Sequence, residues 1–170
     1  MSAFVDLVLT QGYEGVTAED ISRKANVGRS TFYLHYANKE ALLAESMRNI
    51  SNQMAACVDG ALTPIRLVPL LNHFREQRTV NRTFFEHPIR SLWVKNLAAL
   101  IEPRVAAMTD GSRSDLPKSL TARMIAEMQI ALITHWLACK PALKVESIAA
   151  TLIANTRAML SAFGHSERTR

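Results

Sequence analysis

The chain has 170 residues, of which 48% are hydrophobic and 21% charged, the ordinary balance of a folded globular protein. Its formal net charge of +5 leans toward a polyanionic partner. No apolar run approaches the ~18 residues of a membrane span, and the opening segment MSAFVDLVLTQGYEG has no basic start and carries Asp6, so it does not read as a signal peptide. The two cysteines, Cys57 and Cys139, form no CxxC and have no metal-ligand spacing. They read as small buried hydrophobes, and the chain as cytoplasmic, without membrane, metal or cofactor.

Helical three-to-four spacing runs through the chain and sustained alternation is absent, so an all-α fold is expected. A first helix is predicted over about 3–12, with Phe4, Val5, Val8 and Leu9 as its apolar side and Gly12 as its end. Thr17 opens a short second helix over about 18–25, its hydroxyl accepting from the backbone N–H of Asp20. Ile21 and Ala25 face inward there. Asn26-Val27-Gly28 makes a tight turn, because asparagine tolerates the left-handed backbone conformation. A third short helix covers about 29–35, and Asn38 caps a fourth that runs to about 58. Helices this short are marginal alone. They must pack on their neighbours through Ile21, Val27, Phe32, Tyr36, Leu42 and Leu43, as a helix-turn-helix.

Longer helices follow. Thr63-Pro64 resembles a cap with proline at the first helical position, and Pro69 leaves the start of that helix open. Asn81 caps a short helix ending before His87-Pro88; further helices are expected over about 89–108, 119–139 and 145–163, with the loop DGSRSDLPK at 110–118 and a frayed tail. The helix over 119–139 is apolar nearly all round, which predicts burial on several sides. With the last helix it forms an antiparallel pair suited either to an intramolecular core or to a four-helix bundle with a second copy. The expected dimer residues are Met128, Leu132, Trp136, Leu152, Thr156, Met159 and Leu160.

The chemistry concentrates in VGRSTFYLHYANKE, residues 27–40. Positions 21–39 hold Arg23, Lys24, Arg29 and Lys39 and no carboxylate, although residues 1–45 as a whole carry four cations and six acids. The major groove admits one α-helix. A helix placed there needs an unhindered start and donors for base edges and phosphates. Gly28 permits close approach. Arg29, Ser30 and Thr31 occupy the first turn, the turn that meets base edges in this docking mode. Arg29 can clasp guanine, and the Thr31 methyl can touch thymine. Tyr33 and His35 offer phosphate donors. Lys39, on the first turn of the fourth helix, is placed to clamp a phosphate, as is Thr17 at the second.

GYEGVTAEDISRKANVGRSTFYLHYANKEALL closely resembles the N-terminal domain of TetR-family bacterial transcriptional regulators. Gly12-Tyr13, Thr17, Ile21, Ala25, Val27, Thr31-Phe32-Tyr33, His35-Tyr36, Lys39-Glu40 and Leu42-Leu43 carry the resemblance over about 3–46. It implies DNA contacts at Thr17, Arg29, Ser30, Thr31, Tyr33, His35 and Lys39. It also implies a helix-turn-helix domain over 1–45 and an all-α effector-binding and dimerisation domain over 46–170. Two departures stand out: Asn26 replaces the commoner glycine of the turn, and the N-terminal extension usual in the family is short here, which removes any minor-groove contacts from such an arm and would weaken the hold on DNA.

Methionines, aromatics and a few histidines in the remainder suit a small-molecule cavity between helices, although an ordinary core uses the same residues. The candidate pocket is Met54, Phe74, Phe85, Trp93, Met128 and His135. Arg75, Arg78 and Arg82 lie at helical spacing, either as a solvated face or against an acidic effector. No nucleophile–base pair, metal cluster or phosphate loop points to an enzyme. The reading is a homodimeric regulator, a repressor by family expectation, that binds a near-palindromic DNA operator and is released by a small molecule of unknown identity.

Overall fold

The computed structural model describes residues 2–78, 83–108, 116–140 and 143–164. Eight α-helices are described from end to end, and the described residues contain no strand. The expected cap Asn81, most of the loop over 110–118, Pro141 and the tail beyond 164 lie outside the described residues.

α1 spans Ser2–Gly15, but its helical path breaks at Gly12, whose φ of 76° suits glycine alone. α2 (Ala18–Lys24) and α3 (Arg29–His35) follow, joined through Asn26 at φ 54°. This is the left-handed turn expected of that asparagine. α4 runs from Lys39 to Ala55 behind an Asn38 cap whose side chain accepts from Ala41 N at 2.8 Å. Phe4 and Val8 of α1, Ile21 of α2, Phe32 of α3, and Leu42 and Leu43 of α4 are buried together. Each large apolar side chain so buried contributes about 1.5–3 kcal/mol. That common core is what lets two-turn helices persist.

Two expected anchors are not in it. Val27 is 44% exposed, and Ala25 is exposed too. The turn sets both on the rim of an open apolar cleft of about 290 Å³, lined also by Phe4, Ile21, Phe32 and Leu42. Leu9 likewise lies on the surface. α3 is therefore held by Phe32, with Tyr36 half-buried beside it.

The expected boundary at 45/46 falls inside α4, which passes through it unbroken. A 3-10 turn, Ala56–Val58, continues α4, and a second, Pro64–Leu67, precedes α5 (Val68–Glu76). Pro69 falls in the first turn of α5, where its missing N–H costs nothing. Thr63 makes no side-chain cap. α6 (Ile89–Met108), α7 (Lys118–Ala138) and α8 (Val145–Gly164) match their expected spans closely. α6 packs against α4 and α7, and α8 against α5, α7 and both 3-10 turns.

α7 buries Ile125, Ile130, Ile133 and Leu137. Its other apolar side is not enclosed: Leu120 is 44% and Met124 40% exposed, and Met128, Ala131 and Leu132 are half-buried. Within the single chain α7 is enclosed on one side; burial of its other side is expected either inside the chain or against a second copy, and the chain itself does not supply it. Of the seven expected dimer residues, Trp136, Leu152 and Thr156 are buried inside the chain and offer no surface to a second copy. Thr156 is instead a core hydrogen-bonding group. It accepts from Gln129 Nε2 at 3.1 Å and donates to Leu152 O at 2.8 Å.

Candidate DNA-binding face

The face is built by α2, the turn and α3. Thr17 closes α2 reciprocally. Its hydroxyl accepts from Asp20 N at 3.1 Å and donates to Asp20 Oδ2 at 2.6 Å, while Thr17 N also donates to Asp20 Oδ2 at 3.1 Å. The Thr17 hydroxyl and then its N–H hold the Asp20 carboxyl below its ordinary range. Ala25 N, Asn26 N and Val27 N then donate to Ile21 O, Arg23 O and Ser22 O and close the turn that leads into α3.

Gly28 caps α3 at an ordinary φ of −65°. A Cβ built there would meet nothing closer than Thr31 Oγ1 at 3.5 Å and Ser30 Oγ at 3.6 Å. Neither backbone conformation nor internal crowding requires glycine at this position.

α3 brings most of the expected contacts together on the surface. Arg29, Ser30, Thr31, Tyr33 and His35 are all exposed. The Arg29 guanidinium lies 5.9 Å from the Tyr33 ring centroid, and 3.8 Å from the Glu19 carboxylate. Both members of that ion pair are well solvated, so it is worth about 0–1 kcal/mol and exchanges readily for another anion. Tyr33, 49% exposed, stands edge-on to Phe32 at 5.3 Å. One exposed residue of α3 was passed over in the sequence. Leu34, two positions after Phe32, is 81% exposed. The signal was its place on the helix opposite the buried phenylalanine.

Lys39 does not join this face. Its ammonium donates to Tyr13 O at 3.0 Å, Glu14 O at 3.2 Å and Val16 O at 3.1 Å, and lies 4.6 Å from the Tyr13 ring centroid. All three N–H donors are thus taken by carbonyls at the end of α1. A cation there satisfies groups a helix end leaves open. Tyr13 is buried and its hydroxyl donates to Glu40 Oε1 at 3.3 Å. Burial first, then the charge and hydrogen bond of Glu40, hold that phenol well above its ordinary range. Thr17 and Lys39 therefore build the scaffold, and their polar atoms are already engaged.

Residues 2–46 match the family described as bacterial regulatory proteins, tetR family. The HTH-type transcriptional regulator YhgD of Bacillus subtilis is 27% identical over 160 residues, covering 83% of this chain and 84% of that protein. Among solved structures, a TetR transcriptional regulator from Streptococcus agalactiae aligns over 91% of this chain and 89% of that one, at a TM-score of 0.55 and 25% identity. The chain is similar to TetR-family regulators, most specifically over residues 2–46.

Other TetR-type relatives match more locally. YxbF of Bacillus subtilis is 57% identical over 42 residues, 24% of this chain and 11% of that protein. IcaR of Staphylococcus epidermidis, the negative transcriptional regulator of the biofilm operon icaADBC, is 38% identical over 48 residues, 28% of this chain and 26% of that protein. This chain thus spans about a tenth of YxbF and a quarter of IcaR. The TetR-family repressor FadR of Thermus thermophilus, solved with lauroyl-CoA, shares the fold at 18% identity and a TM-score of 0.53 over 99% of this chain and 95% of that one. The matched TetR-family proteins are regulators rather than enzymes. No helix among the described residues is long and apolar enough to cross a membrane.

The expected effector residues lie mainly in the TetR-like bundle's packed core. Met54, Phe74, Phe85 and Trp93 are buried. Phe85 and Trp93 rings lie 4.6 Å apart, with Phe74 5.6 Å from Phe85 and 6.1 Å from Trp93. Met128 is half-buried and His135 exposed, away from that trio's enclosed setting. A cavity of about 120 Å³ beside Phe85 is bordered by Glu86, Thr134, Leu137 and Ala138. Two buried bonds tie α4 to this core: Trp93 Nε1 donates to Ser51 Oγ at 3.0 Å, and Gln129 Nε2 to Met54 O at 3.2 Å.

Proposed function

We propose that the chain binds duplex DNA by laying α3 in the major groove, as a homodimer, and represses transcription from a near-palindromic operator until a small molecule releases it. The observation that carries this reading is the composition of the outward face of α3. Arg29, Ser30, Thr31, Tyr33 and His35 are exposed on a helix without a carboxylate. Gly28 supports it, because nothing inside the chain requires glycine there. A flush approach by an outside surface gives the missing side chain a purpose. In this reading the domain over 1–45 reads DNA, and residues 46–170 dimerise and take the effector. Thr17 and Lys39 position the reader without touching phosphate through their side chains.

The second copy would cover the apolar side of α7. Leu120, Met124, Met128 and Leu132, joined by the half-buried Met159 and Leu160 of α8, supply that surface. Two subunits then place their α3 helices in successive major grooves, about 34–36 Å apart or somewhat more. The effector would enter among α5, α6 and α7, near Phe74, Phe85, Trp93 and Met54. The described cavity of about 120 Å³ is smaller than the usual 300 Å³ or more of a ligand site, so entry requires the aromatic trio to part. Parting it strains the Trp93–Ser51 bond and so reaches α4, and an effector that prefers the parted state shifts the population of reading heads. IcaR as a negative regulator supports repression, and FadR solved with lauroyl-CoA supports a small-molecule ligand.

Selection of genomic fragments by the purified chain tests this directly. The reading expects enrichment of one or a few near-palindromic sites and loss of enrichment for Arg29→Ala. Uniform recovery of fragments by both proteins would contradict it.

A further inference from the structure

α3 turns about 100° per residue, so Leu34 stands about 200° from Phe32, the side chain that fastens the helix to the core. Leu34 therefore points almost directly away from the protein, with Ser30 one turn earlier on the same line. Arg29 and Tyr33 flank that line on one side, and Thr31 and His35 on the other. Leu34 is 81% exposed, more than any other large hydrophobic side chain among the described residues. It contributes little to folding, yet it occupies the centre of a face whose every other exposed member is polar.

Leucine neither donates nor accepts a hydrogen bond. On the floor of a major groove it would strip water from polar base edges without replacing it, which is unfavourable. The groove presents one apolar group, the C5-methyl of thymine. Resting on the DNA-binding reading above, we propose that Leu34 is a specificity-determining residue that selects a T·A pair by packing on that methyl. The polar side chains on either side reach phosphates and neighbouring bases, and Leu34 fixes the identity of the pair beneath the last turn of the helix.

The test is selection from a random-sequence duplex pool with the full chain and with Leu34→Ala, followed by replacing each selected thymine singly with uracil, which removes only the methyl. For the wild-type chain, one thymine per half-site should show about fourfold weaker binding as uracil, the factor expected for one buried carbon. Leu34→Ala should bind the thymine and uracil duplexes alike while keeping the wild-type helical content, since the side chain is exposed. Leu34→Gln should shift the selected base at that position toward adenine, which glutamine can pair with through two hydrogen bonds. A wild-type chain that selects a site but is indifferent to uracil everywhere overturns the Leu34 assignment alone, as does an unchanged uracil penalty in Leu34→Ala. A wild-type chain that enriches no sequence overturns the DNA-binding reading and this one with it.

Discussion

The N-terminal helix-turn-helix head and the bundle that follows it are stabilised by different means. In the bundle, long helices bury Ile101, Ile125, Ile130, Leu97 and Trp93 almost completely, and apolar volume dominates. In the head, α2 and α3 have seven residues each and bury little: Ile21 and Ser22 from one, Phe32 from the other. Discrete polar devices make up the difference. They are the Thr17–Asp20 capping box, the Asn38 cap and the Lys39 ammonium on three carbonyls. On the proposed reading, a small domain that leaves one helix face uncovered for DNA cannot rely on volume alone and anchors itself with polar groups away from that face.

The contrast can be broken most forcefully from the bundle side. Ile130→Ala should cost about 2–5 kcal/mol in chemical denaturation, because the packed surroundings of α7 cannot close over the void. A cost near zero would mean the bundle is not packed as described. Lys39→Met comes next. Losing a charged donor to three carbonyls in a half-buried site should cost about 1–3 kcal/mol, and it should lower the thermal midpoint of the protein without DNA. Trp93→Phe should cost about 1–3 kcal/mol by leaving the buried Ser51 hydroxyl without its donor, and Ser51→Ala in the same background should cost little more.

Smaller effects sharpen the account of the head. Thr17→Ala should cost about 1 kcal/mol, the usual worth of an N-cap side chain. The acid dependence has a definite sign. Asp20 has a lowered carboxyl pKa in the folded chain, so its contribution is present above the ordinary carboxylate pKa and is lost as pH falls through the lowered one. Thr17→Ala should flatten that acid limb of the stability curve. Least of all, burial, with Asp59 adding to it, pushes the Cys57 thiol up to about 12. Cys57 should therefore resist thiol reagents at neutral pH in the native protein, while the half-buried Cys139 reacts first.

Much of this was legible in the sequence, for reasons that separate the successes from the failures. Thr17 and Asp20 form a three-residue spacing whose partners are both side chain and local backbone, so the cap could be read directly. Asn26 was legible because a left-handed turn residue has few candidates. Lys39 was not legible, because its partners are backbone carbonyls 23 to 26 positions away, and carbonyls are the same at every residue. Val27 failed because an apolar residue beside a turn can sit on a cleft rim as readily as in a core. α7 failed in its facing. A helix apolar all round has no periodicity to say which side the chain itself covers, and so Trp136 reads as outward when it packs inward; Leu152 and Thr156 of α8 pack inward as well.

On the proposed reading α3 contacts DNA while Lys39 only holds the frame. The salt dependence of binding to the selected operator, measured below the melting range for the parent, Arg29→Ala and Lys39→Met, tests it most directly. Arg29→Ala should weaken binding and lower the slope against salt by about one unit. Lys39→Met should leave the slope unchanged while lowering the thermal midpoint. A full loss of one unit in Lys39→Met at unchanged stability, with Arg29→Ala binding like the parent, would contradict the account.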